Sequence, residues 1–174
     1  MALYLIELTP ATASKDEATA LIETDSNSLS EGAELIETQV SADHKLIFAI
    51  IESENTAFAP ALTAAIGERA SVVGPDEVRL VGAELDDIKK LKKDADYLVE
   101  WDIPAEITME QYLTRKKANA PKYAEVPEVS FLRTYVREDT AKCLCFYDAP
   151  DEDAVLRARK AVSTPIDRLF KLHA

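Results

Sequence analysis

Glycine is scarce in this sequence: the four in 174 residues stand singly at Gly32, Gly67, Gly74 and Gly82. None opens a spaced-glycine fingerprint that cradles phosphate, so nucleotide binding by those routes is excluded. Histidine is scarcer still, with His44 in a polar turn and His173 next to last. That leaves little to build a Ser-His-Asp or Cys-His arrangement or a histidine metal site from, and no nucleophile elbow is present. Positive charge is outnumbered, with 20 Lys and Arg against 32 Asp and Glu and a net charge of −12. Such a field repels phosphate backbones and anionic lipid, so neither nucleic acid nor a membrane is expected as a partner. The N-terminal run Met1-Ala2-Leu3-Tyr4-Leu5-Ile6 lacks basic residues and ends at Glu7. It reads as neither a signal peptide nor a spanning helix, and a cytoplasmic location is expected. The only cysteines, Cys143 and Cys145, sit two apart in an apolar run that reads as a strand. They share a face, are badly placed to bond each other, and are expected to be reduced thiols.

What is present is a globular composition, 47% apolar and 30% charged, arranged as a repeat. Leu3-Tyr4-Leu5-Ile6-Glu7-Leu8 resembles Asp96-Tyr97-Leu98-Val99-Glu100-Trp101, and Glu34 to Val40 resembles Ser130 to Val136. Polar turns at Asp43 and Asp139 lead into third strands, Lys45 to Ile51 and Cys143 to Tyr147. Helical spacing follows in Ala57, Ala61, Leu62 and Ala65, and again in Ala154, Val155, Ala158 and Val162. Pro75 and Pro165 precede last strands near Val78 to Val81 and Arg168 to Leu172. Weaker helices are predicted at Lys15 to Thr24 and Met109 to Ala118, the second opened by a capping box at Thr108-Met109-Glu110-Gln111. The pattern predicts an α+β chain, a tandem duplicated ferredoxin-like (βαββαβ)2 fold. Residues 1–83 form the first repeat, 84–95 a short helical linker with a solvated Lys run, and 96–174 the second repeat.

A βαββαβ unit carries both helices on one side of its antiparallel sheet and leaves the other side uncovered. A second copy can cover it, giving two four-stranded sheets packed as a dimer-like or barrel-like pair with candidate pockets between them. Strand alternation places Ile36, Thr38, Val40, Leu132, Thr134 and Val136 toward the helices. Leu35, Glu37, Gln39, Phe131, Arg133, Tyr135 and Arg137 then point the other way, with Glu7 and Glu100 beside Leu5 and Leu98. Cys143, Cys145 and Tyr147 share one parity and are assigned to the same helix-free side. The candidate ligand-binding set is therefore Glu7, Glu37, Glu100, Arg133, Tyr135 and Tyr147, with Cys143 and Cys145 as candidate soft metal ligands. No catalytic set is read. Enclosed charges must pair or bind something, so Glu37 and Arg133, at equivalent repeat positions, are expected to pair.

The stretch Val129-Ser130-Phe131-Leu132-Arg133-Thr134-Tyr135-Val136, the turn at Asp139, and Cys145-Phe146-Tyr147-Asp148-Ala149-Pro150-Asp151-Glu152-Asp153-Ala154-Val155 resemble the nickel-binding-protein-like family of small ferredoxin-like domains. The resemblance covers roughly residues 96–172, and the first half looks like a degenerate second copy. It implies the ferredoxin-like fold, self-association into dimeric α/β assemblies and, in one branch, nickel. The histidines that branch would need are missing, since Arg133 holds the strand position and Val155-Leu156-Arg157-Ala158-Arg159-Lys160 contains none. Glu100, Arg133 and Cys145 stand at family-like positions. The leading reading is a non-enzymatic protein that binds a small ligand or a protein partner. Competing readings are a protein binding nickel or another transition metal through carboxylates and thiols, and an enzyme of the dimeric α/β-barrel kind.

Overall fold

The computed structural model describes residues 1–91 and 93–172. Among them the chain forms eight strands and five α-helices, an α+β architecture. The elements are β1 Ala2–Pro10, α1 Lys15–Ser28, β2 Glu34–Val40, β3 Ile47–Ser53, α2 Ala59–Ile66, β4 Ala70–Val81, α3 Leu85–Lys89, β5 Tyr97–Asp102, α4 Met109–Asn119, β6 Ser130–Arg137, β7 Lys142–Asp148, α5 Glu152–Ala161 and β8 Arg168–Lys171. The chain divides into two compact units, one built on Met1–Val78 with α3, the other on Arg79–Glu84 and Lys93–Leu172.

The first unit follows β-α-β-β-α-β order with strands arranged β2-β3-β1-β4. Helix α1 starts where Ser14 Oγ accepts the Glu17 backbone N–H at 3.1 Å, satisfying one orphan donor of its first turn. Its buried core takes Tyr4, Ile6 and Leu8 of β1, Ile47, Ala49 and Ile51 of β3, Ala18 and Leu21 of α1, and Leu62 and Ile66 of α2. Each fully buried Leu or Ile there contributes on the order of 2 kcal/mol in removing apolar surface from water.

The second unit repeats the order with strands β6-β7-β5-β8. Thr108 and Gln111 cap α4 reciprocally, Thr108 Oγ1 accepting from the Gln111 N–H at 3.2 Å and Gln111 Oε1 from the Thr108 N–H at 2.9 Å. Asp151 caps α5 by accepting the Ala154 N–H at 2.8 Å. The core joins Tyr97, Val99 and Trp101 of β5 and Cys143, Cys145 and Tyr147 of β7 to Tyr112, Ala154, Val155 and Ala158 of the helices.

Two expectations are corrected. The last strand of the first half does not start after Pro75; β4 runs from Ala70 through it, and the register with β1 slips between Leu5 and Glu7. Gly74 makes the slip possible, because its φ is +103° and a Cβ there would stand 2.5 Å from the Leu5 carbonyl oxygen. Last, bulges in β2 and β6 insert Ile36 and Leu132, so Leu35 pairs with Ile51 and Phe131 with Tyr147. An inserted residue reverses side-chain parity. Leu35 and Phe131 consequently lie on the helix sides, against expectation, while Glu37, Gln39, Arg133 and Tyr135 keep the opposite side as expected.

Candidate functional site

On the helix-free face of the first unit, Glu7 stands opposite Phe48 and Glu37 opposite Ile50. Glu37 accepts a hydrogen bond from Gln39 Nε2 at 3.1 Å. On the corresponding face of the second unit, Glu100 and Tyr135 flank Leu144, and Arg133 pairs with Phe146. Glu100 is buried and held by Arg168, whose Nη2 reaches Oε1 at 2.7 Å, and by Lys142 Nζ at 3.0 Å. Burial pushes its carboxyl up, but these two cations outweigh that and hold it below the usual range. The Arg133 guanidinium lies 4.9 Å above the Phe146 ring, which Tyr135 meets edge-on at 5.9 Å. Glu100, Arg133 and Tyr135 are all buried.

Cys143, Cys145 and Tyr147 are not on that face. They pair with Trp101, Val99 and Tyr97 on the helix side. Strand β7 runs between β5 and β6 and is buried on both faces, so alternation of apolar residues carries no parity signal there. This correction exposes a polar cluster in the second core. Cys145 Sγ lies 4.0 Å from Cys143 Sγ, 3.2 Å from Thr134 Oγ1 and 3.5 Å from Arg159 Nη1. The same Nη1 donates to Tyr147 Oη at 3.1 Å, and Arg159 Nη2 donates to the Pro165 carbonyl at 2.6 Å. Tyr147 and Tyr123 share a hydroxyl contact of 2.6 Å.

Of these side chains Cys143, Cys145, Tyr123 and Arg159 line a solvent-open cleft with a cavity of about 40 Å³. Trp101, Tyr112, Tyr123 and Phe131 give its aromatic walls, Cys143 and Cys145 its thiols, and Arg115, Lys116 and Arg159 its cations. Arg115 lies 5.4 Å from the Trp101 ring and Lys116 4.4 Å from the Phe131 ring.

The electrostatics separate the two thiols. A hydrogen bond from Cys143, helped by Lys116, Arg159 and Thr134, draws Cys145 well below the usual thiol range despite its burial. Cys143, giving that hydrogen bond and buried beside the charge, is pushed up. Burial raises Tyr147 and pushes Tyr123 up to about 12, so both phenols keep their protons. Burial works against the Arg159 charge, but its contacts with Cys145 and Tyr147 outweigh that.

Arg159, Tyr112, Tyr123, Lys116, Arg115 and Trp101 escape the sequence reading. For Arg159 a signal exists: it falls beside Ala158 on a stripe otherwise formed by Ala154, Val155, Ala158 and Val162, and is 2% exposed. His44 sits at a turn with φ +60°, and His173 lies outside the described residues. Two thiols 4.0 Å apart could supply half of a tetrahedral soft-metal set. Among the described residues no three His, Cys, Asp or Glu are grouped to hold a metal, and the Arg159 guanidinium stands against Cys145. The residues of this cleft therefore do not fit a metal centre. Among the described residues, no helix is long and apolar enough to cross a membrane.

Residues 97–172 match the family model of the nickel responsive SCO4226-like proteins, as the sequence resemblance implied. No curated protein sequence matches the chain. Among solved structures, a candidate chlorite dismutase shares 15% identity at a TM-score of 0.59, over 100% of this chain and 96% of the other. A candidate monooxygenase from Lactobacillus acidophilus shares 9% at 0.52, over 99% and 93%. An anthrone oxidase-like protein shares 14% at 0.51, over 98% and 89%. At these identities the likeness is one of fold. These three bear enzyme-type names, and the reading of the chain as a non-enzymatic ligand-binding or interaction protein is corrected on that ground.

Proposed function

We propose that the second unit, the part matching the nickel responsive family, is an enzyme that works on a small molecule by thiolate chemistry, with Cys145 Sγ as the reacting atom. The observation that carries this reading is a thiol held between a hydroxyl donor and a buried guanidinium at the base of a cleft. A thiolate so placed is stabilised without being buried alone, and it is the thiolate that attacks carbon or removes a proton from it. The Tyr123 and Tyr147 phenols, protonated and joined to the same guanidinium, supply the proton that the substrate oxygen takes up as negative charge develops there. Arg159 positions both ends of this transfer. Such a reaction is redox-neutral.

Iodoacetamide alkylation followed by mass spectrometry across pH tests the reading. One thiol should react with a midpoint below the ordinary thiol value of roughly 8.5, and that fast reaction should vanish in Cys145→Ser and persist in Cys143→Ser. A native protein whose thiols both resist alkylation until it is unfolded would overturn it.

Duplication of one βαββαβ unit belongs to the same proposal, supported by the shared element order and by bulges after Leu35 and Phe131 at matching places. So does self-association, which sedimentation velocity reads directly.

A further inference from the structure

Arg159 is 2% exposed and its Nε–H meets no acceptor, and Tyr112, 3% exposed, has only the weak acceptor of the Cys143 thiol beside its hydroxyl. A buried donor left unpaired costs on the order of 1–3 kcal/mol, more when charged, so a site that keeps a guanidinium N–H open beside a weakly bonded hydroxyl is organised for something that accepts. The charges agree. In a chain of net charge −12, the cleft is lined by Arg115, Lys116 and Arg159 and by no carboxylate. Among the described residues Lys116 has no ion pair; its ammonium rests over the Phe131 ring. With Cys145 as thiolate, two positive charges remain uncompensated.

Size and shape narrow the occupant. Room for water-sized molecules is about 40 Å³, enough for a carboxylate-sized head and too little for a ring beside it. The cleft, open to solvent, has aromatic walls, with Tyr123 and Phe131 stacked at 5.5 Å and Arg115 lying 5.4 Å from the Trp101 ring. We infer that the cleft takes the carboxylate of a small aromatic acid, the anion accepting from Arg159 Nε and Tyr112 Oη beside Lys116, with the ring against Trp101, Tyr123 and Phe131. The inference rests on the thiolate reading only in taking this cleft as the working site, and it names the substrate class.

Trp101 is the only tryptophan of the chain and lines the cleft, so its fluorescence reports occupancy. Full-length protein is titrated with benzoate, benzamide and acetate, with calorimetry in parallel. Benzoate should saturate the signal at least tenfold more tightly than either of the others. Lys116→Met, at a half-buried site, should weaken benzoate about tenfold and leave benzamide unchanged, with circular dichroism matching the wild type. Equal binding of benzoate and benzamide would overturn the anionic part, equal binding of acetate the aromatic part, and no benzoate binding at millimolar concentration the whole. Cys145→Ser should still bind benzoate. A reactive Cys145 without benzoate binding defeats this inference alone; benzoate binding without a reactive thiol defeats the proposed chemistry alone.

Discussion

The two units use one register to build two different cores. In the first, Ile51, Ala49 and Ile47 stand opposite Tyr4, Ile6 and Leu8; in the second, Tyr147, Cys145 and Cys143 stand opposite Tyr97, Val99 and Trp101 at the same steps. Helix spacing sets Leu62 of α2 where α5 has Arg159, and both are buried. Three strand positions and one helix position thus separate an apolar filling from a polar cluster on a cleft. The backbone tolerates the polar version because most of its groups satisfy one another: Arg159 serves Cys145, Tyr147 and Pro165 through its two Nη atoms, while its Nε stays open.

The sharpest exception in the first unit is Asp25 of α1, 0% exposed, with neither carboxylate oxygen hydrogen-bonded. Burial raises its pKa from 3.8 to about 7. Folding therefore favours the protonated form. Stability is full below the unfolded value near 3.8, falls as pH rises toward about 7, and is flat beyond. The loss amounts to as much as ~4 kcal/mol, because each tenfold gain in proton affinity on folding is worth about 1.4 kcal/mol. Urea denaturation across pH 4 to 8 should show this decline, and Asp25→Leu should remove it while stabilising the protein at pH 8. A wild-type profile level between pH 4 and 7 would show that the carboxyl finds compensation.

The second-largest effect comes from giving the second core the first core's residue. Arg159→Leu removes the cation beside Cys145 and should cost about 3 kcal/mol by leaving a buried ion without its partner. Cys145 should then titrate higher. Adding Cys145→Ala, which copies Ala49, should recover at least about 1 kcal/mol, because the two residues act as one network. A double-mutant cycle in urea measures the coupling, and additive losses would mean that the two cores do not differ in the way described.

The element order is legible because turns, periodicity and the repeat agree, and the Thr108 box lies where its sequence puts it. Alternation places Glu7, Glu37, Glu100, Arg133 and Tyr135 on the correct faces. It fails wherever one residue is inserted, at Ile36 and Leu132, since no composition marks those bulges. It fails in β7 for another reason: a strand buried on both sides has no polar face to set its phase. Cys143, Cys145 and Tyr147 are rightly grouped as a set by their spacing and wrongly sent to the helix-free side. The cleft's other members come from α4, the turn after it and α5, whose convergence on β7 is a tertiary fact with only the odd Arg159 to announce it. The non-enzymatic reading has another root, the lack of a glycine-rich loop, a nucleophile elbow or a well-placed histidine, none of which announces a thiol beside a buried guanidinium.

The smallest expected effect compares the helix starts of the two units. Ser14 caps α1 with one bond, whereas Thr108 and Gln111 cap α4 with two. Removing either hydroxyl with alanine should cost about 1 kcal/mol in urea denaturation, slightly more for Thr108 because its loss also frees Gln111. Stability alone will barely distinguish them. Their consequences differ, because α4 carries Tyr112, Arg115 and Lys116 into the cleft while α1 carries no residue of it. Thr108→Ala should therefore weaken benzoate binding several-fold at a temperature where the protein remains folded, and Ser14→Ala should leave it unchanged. Equal responses would separate the cleft from the start of α4; unequal ones tie a cap of about 1 kcal/mol to the placement of the cations that the anion meets.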